Sequence, residues 1–94
     1  ATQSVAGRVP LQLQIILWTL IEQKRLKGEE LDVLQVFELS LYRGNGQSLQ
    51  QVIHRQETPP FVEVHYFELA EIYVGKVWAI DRGEYATMRL PSNY

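Results

Sequence analysis

The stretch from Leu34 to Glu57 constrains the fold more than any other, because it reads as a β-hairpin. Two alternating runs, Leu34–Arg43 and Leu49–Glu57, flank Gly44-Asn45-Gly46. Asn-Gly between such runs is the strongest short-range hairpin signal, since its backbone readily takes the positive φ of a tight turn. On the first strand Phe37, Leu39 and Leu41 point one way, and Val36, Glu38, Ser40 and Tyr42 the other. Two registers are open. A three-residue loop sets Leu41 opposite Leu49 and Phe37 opposite Ile53, joining the apolar sets. A two-residue Asn45-Gly46 turn instead sets Phe37 opposite His54. The first is preferred, because a one-residue slip turns an apolar set to the wrong face.

The rest of the chain adds one helix and more strands. Pro10 suits the first turn of a helix, and Gly28 is a left-handed terminator, so a helix is expected over residues 10–27. Leu13, Ile16, Leu17, Leu20 and Ile21 share one arc at 100° per residue, which is the expected core face. A second stripe, Leu11, Ile15 and Trp18, exceeds what one sheet contact needs. It is either covered within the molecule or a contact surface, with Trp18 as anchor. Residues 2–6 read as a short strand. Pro59-Pro60 stops the hairpin's second strand, and the alternating Phe61–Phe67 follows as another. Residues 68–74 are ambiguous. Lys76–Ile80, Asp81-Arg82-Gly83 and Glu84–Leu90 read as a second hairpin, with Pro91–Tyr94 as a tail. The expected fold is one α+β domain over 1–94: a long helix packed on a mostly antiparallel sheet of about five strands.

Composition narrows the function classes. The 94 residues carry a net charge of −2, so no strong field draws polyanions, and nucleic acid is a disfavoured partner. The basic residues available for it are Lys24, Arg25 and Lys27 at the helix end, with Arg43. There is no cysteine, which removes disulfides and thiolate chemistry and fits a reducing cytoplasm. No apolar run approaches the roughly 20 residues needed to span a bilayer, so no membrane partner is expected. The opening residues lack the order of a signal peptide, and the missing initiator methionine suggests that N-terminal residues were removed or left out.

Candidate chemistry is sparse. His54 and His65 lie on different expected strands, and a metal or acid–base site would need them with carboxylates such as Glu38, Glu57 or Glu63. In the preferred register Glu38 is diagonal to His54, within reach of a cross-strand pair. Two neighbours on an open sheet do not make a pocket, so catalysis is disfavoured and no cofactor is expected. The tip Asp81-Arg82-Gly83-Glu84 holds too few oxygens for calcium. Gly44-Asn45-Gly46 is not a phosphate loop, because no helix follows. Ser4, Ser40, Ser48, Thr58 and Thr87 have no nucleophile-elbow context.

Several separated blocks carry a likeness to a family. Pro10-Leu-Gln-Leu-Gln, Leu17-Trp18, Leu34-Gln-Val-Phe-Glu-Leu-Ser40, Ile53-His-Arg-Gln-Glu57, Trp78-Ala-Ile-Asp81 and Thr87-Met88 occur in order along nearly the whole chain. Together they resemble the domain of unknown function 960, small proteins of Gram-positive bacteria and their phages. The resemblance implies a single-domain intracellular protein and supplies no catalytic or binding residues.

The leading expectation is a non-enzymatic interaction or regulatory module that meets a protein partner or forms a homodimer. Its candidate surface is Leu11, Ile15 and Trp18 on the helix with Val36, Tyr42 and Val52 on the second sheet face. The alternative is a small metal-binding protein or enzyme centred on Glu38, His54, Glu57 and His65.

Overall fold

The computed structural model describes residues 3–4, 9–81 and 86–90. One helix, α1 (Leu11–Leu26), joins six strands: β1 (Gln3–Ser4), β2 (Leu34–Gly44), β3 (Gln47–Gln56), β4 (Phe61–Phe67), β5 (Gly75–Asp81) and β6 (Ala86–Leu90). The strands form an antiparallel sheet in the order β1-β6-β5-β2-β3-β4. The expected α+β class, the helix and the five longer strands are present, and β1 adds a two-residue edge within the expected strand 2–6. Residues 68–74 form an irregular connection. The tip of the second expected hairpin, 82–85, and the tail 91–94 lie outside the described residues.

Helix α1 begins directly after Pro10, whose missing N–H is no loss there. It ends where Gly28 takes φ 78°, letting Gly28 N–H reach Arg25 O and Glu29 N–H reach Lys24 O. That paired closure satisfies carbonyls the helix would otherwise leave open. Leu13, Leu17 and Ile21 are buried as expected, while Ile16 and Leu20 are half-buried. Each fully buried aliphatic contributes about 1.5–3 kcal/mol. They meet Phe37, Leu39, Val52, Val77, Ala79 and Leu90 on one face of the sheet, with Val9 closing the end. Among the described residues no helix is long and apolar enough to cross a membrane.

The hairpin adopts the register of the two-residue turn, not the expected apolar-matching one. Gly44 pairs with Gln47, Tyr42 with Leu49, Phe37 with His54 and Glu38 with Ile53. Asn45 at φ 54° and Gly46 at φ 76° make a two-residue turn whose backbone twist matches the strands it joins. Turn chemistry therefore overrides apolar matching. On β3 the buried residues are Gln50, Val52, His54 and Gln56, and Leu49 and Ile53 face away from the helix.

Polar groups buried this way are stable only if bonded, and here they form two networks. Gln35 Nε2 donates to Gln56 Oε1 (2.8 Å) and Asp32 O (2.9 Å), while its Oε1 lies 2.7 Å from His54 Nε2. Gln56 Nε2 donates onward to Glu30 O and Pro59 O. Farther along β3, Gln50 clasps the 68–74 connection: its Oε1 accepts from Tyr73 N–H (2.8 Å) and its Nε2 donates to Tyr73 O (3.0 Å). These amides tie loops to the sheet that aliphatic side chains would leave loose.

Candidate interaction surface

Strand alternation sends a second set of side chains to the sheet face opposite α1. Register places them in rows. Val62, Arg55, Val36 and Trp78 form one row; Val64, Ile53, Glu38 and Lys76 the next. Leu34 and Ile80 lie beyond the first row; Tyr66, Gln51, Ser40 and then Leu49 with Tyr42 lie beyond the second. Ten of these side chains are apolar or aromatic: Leu34, Val36, Tyr42, Leu49, Ile53, Val62, Val64, Tyr66, Trp78 and Ile80. Among the described residues no element packs on them. Val62, Val64 and Tyr66 on the outer strand β4 are 63%, 47% and 48% exposed.

Four polar members of this face are paired locally. Arg55 Nη1 is 3.3 Å from Glu38 Oε2, and Gln51 Nε2 donates to Ser40 Oγ at 3.1 Å. Tyr42 and Tyr66 rings pack with centroids 4.8 Å apart. An open groove of about 520 Å³ runs off one end, lined by Leu34, Val36, Arg55 and Val62 with the 57–60 turn. Apolar surface of this extent, broken by one ion pair near its middle, marks a protein-binding face.

The six residues expected to form a surface do not come together. Val36 and Tyr42 are on the open sheet face. Leu11 and Ile15 are exposed at 69% and 57%, but on the outer side of α1, across the molecule from that face. Trp18 is half-buried against the core, beside a shallow hollow lined by Ile15, Thr19, Glu22 and Arg25. Val52 is a correction: it is fully buried under the helix, because the two-residue turn reverses the facing expected for β3.

The alternative centre is also rearranged. His54 and His65 share the helix-facing side, but Glu38 is on the other face and Glu57 is exposed in the turn, so the four do not converge. Among the described residues no group of three or more metal-ligating side chains is gathered. His54 is stacked between Phe37 (centroids 4.6 Å) and the edge of Phe61 (5.2 Å). Burial, and then the Lys24 cation, push its pKa down to about 4. The imidazole is therefore neutral at neutral pH, with Nε2–H donating to Gln35 Oε1. A crevice of about 60 Å³ beside it is lined by Lys24, Glu29, Phe61, Glu63 and His65. There Lys24 Nζ contacts Glu29 Oε1 at 2.8 Å and lies 3.6 Å above the Phe61 ring, and His65 Nε2 is 3.2 Å from Glu63 Oε1 without a hydrogen bond's alignment. The Lys24 contact holds the Glu29 carboxyl below its usual range.

Of the basic residues considered for nucleic acid, Lys24 is thus buried against Glu29 and Phe61, away from Arg43 at the hairpin tip. Most of the open face was not legible from residue types alone. Alternation in Phe61–Phe67 marked Val62, Val64 and Tyr66 as one set, but only the strand order brings them beside Ile53, Val36 and Trp78.

The profile of a family described as "Staphylococcal protein of unknown function (DUF960)" matches residues 1–93. The chain belongs to that family. No curated protein and no solved structure matches it. For this family member the sheet face is consequently the feature from which function has to be argued.

Proposed function

We propose that this protein is a non-catalytic protein-interaction module whose working surface is the open sheet face. One observation carries the reading: ten apolar or aromatic side chains share that face, and no described element covers it. Isolated exposed hydrophobes are ordinary, but a contiguous set spanning four strands marks an interaction site. Trp78, Tyr42 and Tyr66 are of the types that dominate binding energy at protein interfaces. The absence of cysteine favours work in a reducing cytoplasm. A catalytic reading finds less support, since His54 is enclosed by Phe37, Phe61 and Gln35 and Glu38 is on the far face.

Site-specific photo-crosslinking in the native host tests the proposal. A photoreactive residue at Val64, on the face, is expected to capture protein, whereas one at Gln23 on the exposed side of α1 is not. Val64 without any protein adduct, in a folded and expressed variant, overturns the reading.

A further inference from the structure

We infer that the occupant of the open face is a second copy of this chain, packed face to face about a twofold axis. This rests on the interaction reading above and names the partner. Two observations argue for it: the area of the face and the arrangement of its charges.

Four strands about 4.8 Å apart, of 11, 10, 7 and 7 residues, make a face of roughly 19 by 29 Å, on the order of 550 Å². Two such faces remove about 1,100 Å² from water, which reaches the roughly 1,000 Å² that a specific interface requires. A smaller patch would leave a self-made dimer too weak. Sheets stacked this way sit about 10 Å apart, and their natural twist offsets the strands by about 30°.

The charges then choose the axis. Glu38 and Arg55 are diagonal neighbours near the centre, 3.3 Å apart, with Val36 and Ile53 completing the square around them. A twofold axis between Glu38 and Arg55 sets each Glu38 against the second copy's Arg55, because an isologous contact brings residue i to j and j to i. The result is an alternating quartet of two carboxylates and two guanidiniums, flanked by Val36, Ile53 and Val62 of each copy. Lys76, opposite Glu38 on β5, lies farther from the axis, toward the rim. An axis through Glu38 itself would bring like charges together, so the pattern is self-complementary in one arrangement and hostile to its neighbour.

The test is sedimentation of the full chain from micromolar to submillimolar concentration, with Glu38→Arg and Arg55→Glu alongside. Wild type is expected to pass from monomer to dimer. Either reversal alone places four like charges at the axis and is expected to weaken dimerisation on the order of a hundredfold. Mixed together, the two variants restore both opposite-charge pairs across the axis, though not the pair within each chain, and are expected to form a heterodimer in preference to either homodimer. If a reversal unfolds the chain, intermolecular NOEs between labelled and unlabelled wild type at the Val36 and Ile53 methyls carry the decision. A wild type that stays monomeric overturns the second copy as occupant; capture of another protein at Val64 would leave the interaction module standing. A dimer that ignores both reversals, or lacks those NOEs, is joined through the β4 edge or the helix stripe and also overturns the inference.

Discussion

The two faces of β3 differ in a way opposite to the usual pattern. Toward the helix it buries Gln50, His54 and Gln56 around one aliphatic residue, Val52; toward the open side it presents Leu49 and Ile53. The covered face is therefore held by aliphatic packing from β2, β5 and α1 plus saturated hydrogen bonding from β3. The open face holds no such network and only short-range pairs. A strand's buried side is thus set by the turn and by available hydrogen-bond partners, not by apolarity alone.

The largest break in that comparison comes from opposite sides of the sheet. Phe37→Ala removes a fully buried ring stacked on His54 and is expected to cost about 3–5 kcal/mol in urea unfolding. Tyr66→Ala, half exposed on the open face, is expected to change the dilute protein's stability by no more than about 1 kcal/mol. Equal losses at both sites would mean that the open face is part of the folding core.

Acid separates the faces next. The pKa of His54 falls from an ordinary 6.5 to about 4 on folding, so the unfolded chain binds the proton first. The folded form's advantage is complete above pH 6.5 and is lost as pH falls from there toward 4. At 1.36 kcal/mol per unit the loss is at most roughly 3 kcal/mol. Stability measured by denaturant across that window is expected to rise with pH, and His54→Leu is expected to remove most of the slope. The lowered Glu29 pKa acts at more acid pH, because its stabilisation is present above the carboxylate range and lost below it.

Legibility from sequence follows the same division. The helix, the alternation of β2 and the strand at 61–67 all announce themselves by period, and Leu13, Leu17, Phe37 and Leu39 are where that period puts them. Gln35, Gln50 and Gln56 are silent in a hydropathy pattern, since an amide's burial depends on partners such as Tyr73 and Asp32 that only the folded topology supplies. Lys24 reads as a solvated basic residue until Glu29 and Phe61 close over it. Of the open face, Val36 and Tyr42 are readable from β2 alone; the facing of Val52 follows a register that only the two-residue turn fixes, and Trp78 requires the β5–β2 pairing.

A smaller effect is expected where a buried amide holds a loop. Gln50→Leu leaves Tyr73 N–H without its acceptor and is expected to cost about 1–3 kcal/mol. Hydrogen exchange at Tyr73 should accelerate while exchange in the β2–β3 core changes only as global stability does. Unchanged Tyr73 protection would show that Gly75 pairing with Leu39, not the amide clasp, anchors the connection.

The smallest effect is the most telling about the open face. In a dilute monomer, Glu38 and Arg55 form a partly solvated pair, with side chains 29% and 50% exposed. A double-mutant cycle with Glu38→Ala and Arg55→Ala is expected to give a coupling of about 0.2–1 kcal/mol there. If a second copy covers the face as proposed, water leaves the same pair and two cross-copy contacts are added, so the coupling is expected to grow with protein concentration. The buried network around Gln35 lies on the helix-covered side of the sheet, and its coupling to His54 is expected to stay constant over the same range. A Glu38–Arg55 coupling equally insensitive to concentration would mean that this face remains in water, and the asymmetry between the two faces would then be a matter of folding alone.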